Sequence, residues 1–191
     1  MQPKVRWPGD LTHESTDVRP ATEQDAGELS RLVNSAYRGE SSRRGWTTEA
    51  DFLAGQRTDP TMLADDISRP TTTILCLREV VEGPILACVS LELFFDERGS
   101  GCYLGMRSVN PTLQARGLGK VLMEKAEAFA RSRGAARMRL GVIQLRQSLM
   151  EWYERRGYAR TGETGRFPYG DERWGLPRRE DLHFVLFEKR L

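Results

Sequence analysis

Val109-Asn110-Pro111-Thr112-Leu113-Gln114-Ala115-Arg116-Gly117-Leu118-Gly119-Lys120 is the stretch on which the architecture turns. Before it, Tyr103–Val109 reads as an extended run that stops at Asn110-Pro111. After it, Leu118, Val121, Leu122, Ala126, Phe129 and Ala130 recur at helical spacing until Gly134. Arg137–Val142 then alternates as a strand. Strand, helix and strand with short links predict a βαβ unit, hence a parallel pair with a right-handed crossover.

Working upstream, Thr72–Arg78 and Leu86–Phe95 precede the Tyr103–Val109 run. The separators Glu82-Gly83-Pro84 and Asp96-Glu97-Arg98-Gly99-Ser100-Gly101 are turn chemistry of hairpin length, which predicts antiparallel neighbours. Further back, Val18–Ala21 reads as a short strand and Thr22-Glu23-Gln24-Asp25 as a capping box. Leu29, Leu32, Val33, Ala36 and Tyr37 then mark a first amphipathic helix ending near Gly39. Thr47 or Thr48 caps a second, weaker helix through Asp51, Phe52 and Leu53. Downstream, Leu149–Arg156 is a short helix, and Tyr158–Thr161 and Leu182–Glu188 close the sheet. The fold class is α/β: a mixed, mostly antiparallel sheet with a βαβ crossover and helices on both faces.

Composition limits the function. A chain of 191 residues is enough for one domain, expected over 17–191 behind a loose leader over 1–16. Lys and Arg number 29 against 27 Asp and Glu; a net charge of +2 argues against a nucleic-acid binder. No apolar run suits a membrane span, and Met1 to Thr16 has no apolar signal core, so a cytoplasmic location is expected. Cys76, Cys88 and Cys102 read as buried thiols, and His13 and His183 have no metal-ligand spacing. Arg131, Arg133, Arg137 and Arg139 read as a solvated helix end and strand face.

The chemistry lies in the opening stretch. A helix N-terminus offers unpaired N–H groups and a positive dipole end, and Gly117 and Gly119 let an anion approach the main chain. A phosphate or pyrophosphate is the expected ligand. The P-loop pattern fails, because Val121 follows Lys120 and Gln114 stands where its first glycine belongs. The dinucleotide fingerprint fails too, because Leu122 occupies its third glycine position.

What Gln114-Ala115-Arg116-Gly117-Leu118-Gly119 does satisfy is a [Gln/Arg]-x-x-Gly-x-Gly/Ala loop between strand and helix. With Trp152-Tyr153-Glu154-Arg155-Arg156-Gly157-Tyr158 downstream, and with the element order from Val18 to Leu191, the chain resembles the GNAT (Gcn5-related) N-acetyltransferases. The resemblance implies acetyl-CoA as co-substrate, its pyrophosphate on the backbone of Gln114, Ala115, Arg116, Gly117, Leu118, Gly119 and Lys120, and its pantetheine along the main chain of Val109. It implies transfer to a primary amine of a small molecule or peptide by direct attack, with Tyr153 as general acid. The alternative for Tyr153 is a packed aromatic. Glu92, mid-strand, is the candidate base, and its alternative is a cross-strand pair with Arg107. Tyr37, Arg38, Glu40, Trp46, Glu49 and the segment Phe167–Asp171 fall where the family walls its acceptor pocket. Where the family commonly has Asn, seven residues before the Tyr, this chain has Arg146. A homodimer is a further expectation, and a non-catalytic acyl-CoA-binding regulatory module is the alternative function.

Overall fold

A computed structural model describes residues 16–191. The expected leader over 1–16 lies, apart from Thr16, outside the described residues. In chain order the elements are β1 (Asp17–Pro20), α1 (Ala26–Tyr37), α2 (Gly39–Ser42), β2 (Leu53–Ala54), α3 (Pro60–Ser68), β3 (Thr72–Arg78), β4 (Ile85–Asp96) and β5 (Gly99–Val109). They continue with α4 (Leu118–Ser132), β6 (Arg137–Ile143), α5 (Gln147–Glu154), β7 (Ala159–Arg166), β8 (Leu176–Pro177) and β9 (His183–Arg190).

Seven strands form one sheet in the order β1-β3-β4-β5-β6-β9-β7. Every neighbouring pair is antiparallel except β5 and β6, joined by the α4 crossover. The alternation of side chains along β3 sorts the core into two layers. Leu75 and Leu77 pack on one face with Leu118, Leu122 and Ala126 of α4 and with Tyr153 of α5. Ile74 and Cys76 pack on the other with Leu29 and Val33 of α1 and Leu63 of α3. Cys76, Cys88 and Cys102 are free and buried.

Two local expectations are corrected and one element is added. Residues 49–52 make a single turn, with Leu53 N–H bonded to Glu49 O at 2.8 Å, and the chain then enters β2, which pairs with β8. No helix follows Thr47 or Thr48, because that strand pairing claims Leu53 and Ala54. Helix α3 went unread although its start is explicit: Asp59 accepts from Met62 N–H at 2.8 Å, and Pro60 occupies the first turn. Arg137 is buried rather than solvated, because Asp96 and Glu188 at the sheet end pair with it.

The feature that positions the site is the parting of β5 and β6. They pair only from Cys102–Leu104 to Met138–Leu140, so β5 has no neighbour on that side from Gly105 to Val109. On its other side three β5 steps oppose two of β4 between Cys88 and Ser90, a bulge marked by Met106 at φ 49°. Among the described residues no helix is long and apolar enough to cross a membrane.

Candidate active site

Asn110 turns the chain out of β5, its side chain accepting from Thr112 N–H at 3.1 Å. Two left-handed residues follow, Ala115 at φ 66° and Gly117 at φ 79°, the latter capping α4. Left-handed backbone suits glycine and strains alanine, so this loop is held against local preference. The N–H groups of Gly117, Leu118 and Gly119 have no acceptor among the described residues, whereas Lys120 N–H donates to Gly117 O at 2.9 Å. The Gln114 side chain is a strut: its Oε1 accepts from Trp46 N–H at 2.9 Å and its Nε2 reaches Val109 O at 3.4 Å.

The groove over this loop is lined by Arg107, Lys120, Arg146 and Arg156 and by no carboxylate. Burial, then repulsion from Arg107 and Arg155, lowers the Arg156 guanidinium below its ordinary value. Arg107 and Arg156 both lie over the Trp152 ring, 4.2 and 3.4 Å from its centre. A Cβ on Gly119 would stand 3.0 Å from Arg107 Nη1 and 3.5 Å from Trp152. Unpaired amides, an open strand edge and an acid-free cationic wall suit a pyrophosphate with a neutral amide-bearing arm.

Arg107 leads from this groove into a second cavity, walled by Tyr37, Arg38, Glu49, Arg57, Arg146 and Tyr153. Tyr153 stands in its wall, 4% exposed, its ring edge-on to Trp152 at 5.1 Å and to Tyr158 at 5.6 Å. Arg107 Nε donates to the Tyr153 hydroxyl oxygen at 3.0 Å. That bond occupies a lone pair and leaves the phenol's own hydrogen available to another acceptor. Tyr37 fixes the strand behind it, donating to Arg107 O at 3.1 Å.

Of the expected pocket wall, Tyr37, Arg38, Glu49 and Phe167 line this cavity, Trp46 lines the phosphate groove, and Glu40 is exposed outside both. Glu49 is bonded twice: Oε2 accepts from Arg38 at 2.6 Å and Oε1 from Arg146 at 2.8 Å. Arg146 borders both spaces and donates to Thr47 Oγ1 at 3.2 Å. Glu92 lies apart from Tyr153. It is exposed on an adjoining groove that shares Arg57, Tyr103, Gly105, Met106 and Trp174 with the cavity. Its register partners are Thr72 and Tyr103, so the expected alternative pairing with Arg107 is not made. The register explains this, since Arg107 lies four residues beyond Tyr103 on β5, and its side chain bonds Tyr153 instead. Arg57 carried no sequence signal, and the bond from Arg107 to Tyr153 joins elements that no local pattern links.

A sequence profile of the Acetyltransferase (GNAT) family matches residues 27–158, and the chain belongs to that family. Comparison with curated proteins gives no match. Among solved structures, an N-acetyltransferase from Staphylococcus aureus Mu50 is similar over 92% of this chain and 97% of its own, at 12% identity and a TM-score of 0.67. The ribosomal-protein-S18-alanine N-acetyltransferase of Escherichia coli aligns over 92% and 93%, at 15% identity and a TM-score of 0.63. The PaiA N-acetyltransferase of Thermoplasma acidophilum, solved with coenzyme A, aligns over 93% and 99%, at 14% identity and a TM-score of 0.62. At these identities the likeness establishes the fold. Family and fold together support acyl transfer.

Proposed function

We propose that the protein transfers an acetyl group from acetyl-CoA to a primary amine of a small molecule or peptide by direct attack in a ternary complex. The observation that carries this reading is the continuity of two spaces through Arg107: an acid-free cationic groove over unpaired amides, opening into a cavity walled by Tyr153. Acetyl-CoA supplies an activated acyl thioester when bound. Gly117, Leu118 and Gly119 offer amides to its pyrophosphate, Gln114, Ala115, Arg116 and Lys120 frame the loop, and Val109 lies on the strand edge beside its arm.

Main-chain N–H on the unpaired part of β5 holds the oxyanion that develops during attack. Tyr153 donates its proton to the departing thiolate, and Arg107 steadies the phenol oxygen while it does so. Glu92, on the adjoining groove, takes the amine's proton through water rather than by contact. The reading includes a cytoplasmic location and a homodimer.

The test is a panel of amines with acetyl-CoA, reading free thiol and the mass of the product. Thiol release coupled to an acetylated amine is expected. Tight CoA binding with no acetylation of any amine would instead favour a non-catalytic acyl-CoA-binding module.

A further inference from the structure

The acceptor cavity is more positive than a site for a simple amine should be. Its lining includes Arg38, Arg57, Arg107 and Arg146 against one carboxylate, Glu49, a surplus of three positive charges. Glu49 is shared between Arg38 and Arg146, so that trio alone remains cationic. Arg107 is bonded to the Tyr153 hydroxyl and to no carboxylate among the described side chains. Arg57 has no carboxylate partner among the described side chains; its guanidinium lies 4.9 Å from the centre of the Trp174 ring and 5.8 Å from that of Tyr37.

The phosphate groove does not account for this surplus. Arg107 and Arg146 border that groove, but Arg38 and Arg57 do not. Arg57 is also built in. Its main-chain N–H donates to Asn34 Oδ1 at 2.6 Å, and the two aromatic rings limit where its side chain can go. It stands where the cavity opens to the adjoining groove, within reach of a ligand entering either way. A partly desolvated guanidinium without a counter-ion is costly unless a ligand neutralises it, and its planar fork fits a carboxylate.

The same surplus acts on the amine. A cationic wall disfavours an ammonium ion, so the nitrogen is held in its neutral, nucleophilic form. Inside the cavity a polycation meets the surplus of Arg38, Arg57, Arg107 and Arg146, and only the adjoining groove offers carboxylates, Asp65, Asp66 and Glu92. The remainder of a good acceptor must therefore bring negative charge.

We propose that the acceptor carries a carboxylate besides its primary amine and that Arg57 binds that carboxylate. This rests on the acetyl-transfer reading above and narrows its substrate class to amino-acid-like amines.

The experiment compares acceptors that differ only at the acid: methionine with methioninamide and leucine with leucinamide, with spermidine as the polycation. The amide's amine is less basic than that of its parent acid, so a preference for methionine cannot come from basicity. Expected is at least tenfold higher kcat/KM for the acid member of a pair, about 1.4 kcal/mol, and little turnover of spermidine. Arg57→Met should abolish the preference, and Arg57→Lys should keep part of it, which separates charge from packing. A parallel calorimetric arm titrates N-acetylmethionine and its amide into the CoA-loaded protein. If amines are acetylated but the amide or spermidine is preferred, or if Arg57→Met leaves the ratio unchanged, the carboxylate proposal falls and acetyl transfer stands. If no amine is acetylated yet N-acetylmethionine binds in an Arg57-dependent way, acetyl transfer falls and the carboxylate site stands. Equal binding of acid and amide, or no binding of either, overturns the proposal.

Discussion

Replacing Glu49 by Gln removes the one negative charge between two guanidinium groups without changing the shape of the side chain. The structure sets the scale. Arg38 is 6% exposed, Glu49 is 6% exposed, and the Arg146 side chain is 10% exposed. The two bonds measure 2.6 and 2.8 Å. Breaking a buried pair of this kind costs roughly 3–5 kcal/mol, because the charge left behind stays desolvated. Arg38 keeps its bond to Trp174 O at 3.1 Å and Arg146 keeps Thr47 Oγ1, so the lower end applies. At about 2–4 °C per kcal/mol for a chain of this size, a loss of about 3 kcal/mol lowers Tm by roughly 6–12 °C. Differential scanning calorimetry at neutral pH reads this directly. A second variant, Arg38→Met with Glu49→Leu and Arg146→Met, should recover most of the stability, because an apolar trio needs no desolvation. An unchanged Tm in Glu49→Gln would refute the reading of Glu49 as the buried charge that Arg38 and Arg146 depend on.

Four further outcomes follow from other contacts. Desolvation raises the Asp25 carboxyl, but Thr22 N–H at 2.8 Å and the Arg19 guanidinium outweigh it and hold the group below its ordinary value, with Arg78 bonded at 2.7 Å. A depressed carboxyl stabilises the fold above its unfolded pKa, and that stability is lost as pH falls through the lower folded value. Asp25→Asn should therefore cost about 3 kcal/mol at pH 7 and clearly less at pH 3 in denaturant titrations, and equal losses would contradict the assignment. Gly119→Val should weaken CoA binding at least tenfold in calorimetry while the protein stays folded, since its Cβ meets the movable end of Arg107. Gly117→Ala should cost about 1 kcal/mol through its left-handed φ of 79°. Glu92→Gln should depress turnover most at low pH with CoA affinity intact; a fall in Tm without a fall in rate would make Glu92 a sheet residue only.

The sequence exposed those parts of the fold whose signals are local. The turn at Asn110-Pro111, the stripe from Leu118 to Ala130 and the stop at Gly134 lie within one crossover, and each is set by near neighbours. The same holds for the hairpin turns on either side of β4 and for the box in which Asp25 accepts from Thr22 N–H. Two elements were lost to opposite causes. Residues 49–53 carry a helix-like start that is overruled by pairing with residues 176–177, far along the chain. Helix α3 is announced by Asp59-Pro60, but its apolar face is too thin to show a period. In the candidate site, the loop from Gln114 to Lys120 and the segment around Tyr153 were legible as motifs. The cationic wall was not, because Arg38, Arg57, Arg107 and Arg146 come from four separate segments that only the fold brings together.

The central claim is that Tyr153 protonates the departing thiolate during acetyl transfer. Tyr153→Phe tests it most directly, because the ring keeps its contacts with Trp152, Tyr158 and Phe187 and loses only the oxygen that accepts from Arg107. With the best amine of the panel and saturating acetyl-CoA, kcat should fall by roughly 10²-fold or more while calorimetry shows unchanged CoA affinity. Near-normal turnover in Tyr153→Phe, with CoA still bound, would contradict the account and leave Tyr153 as a packed aromatic.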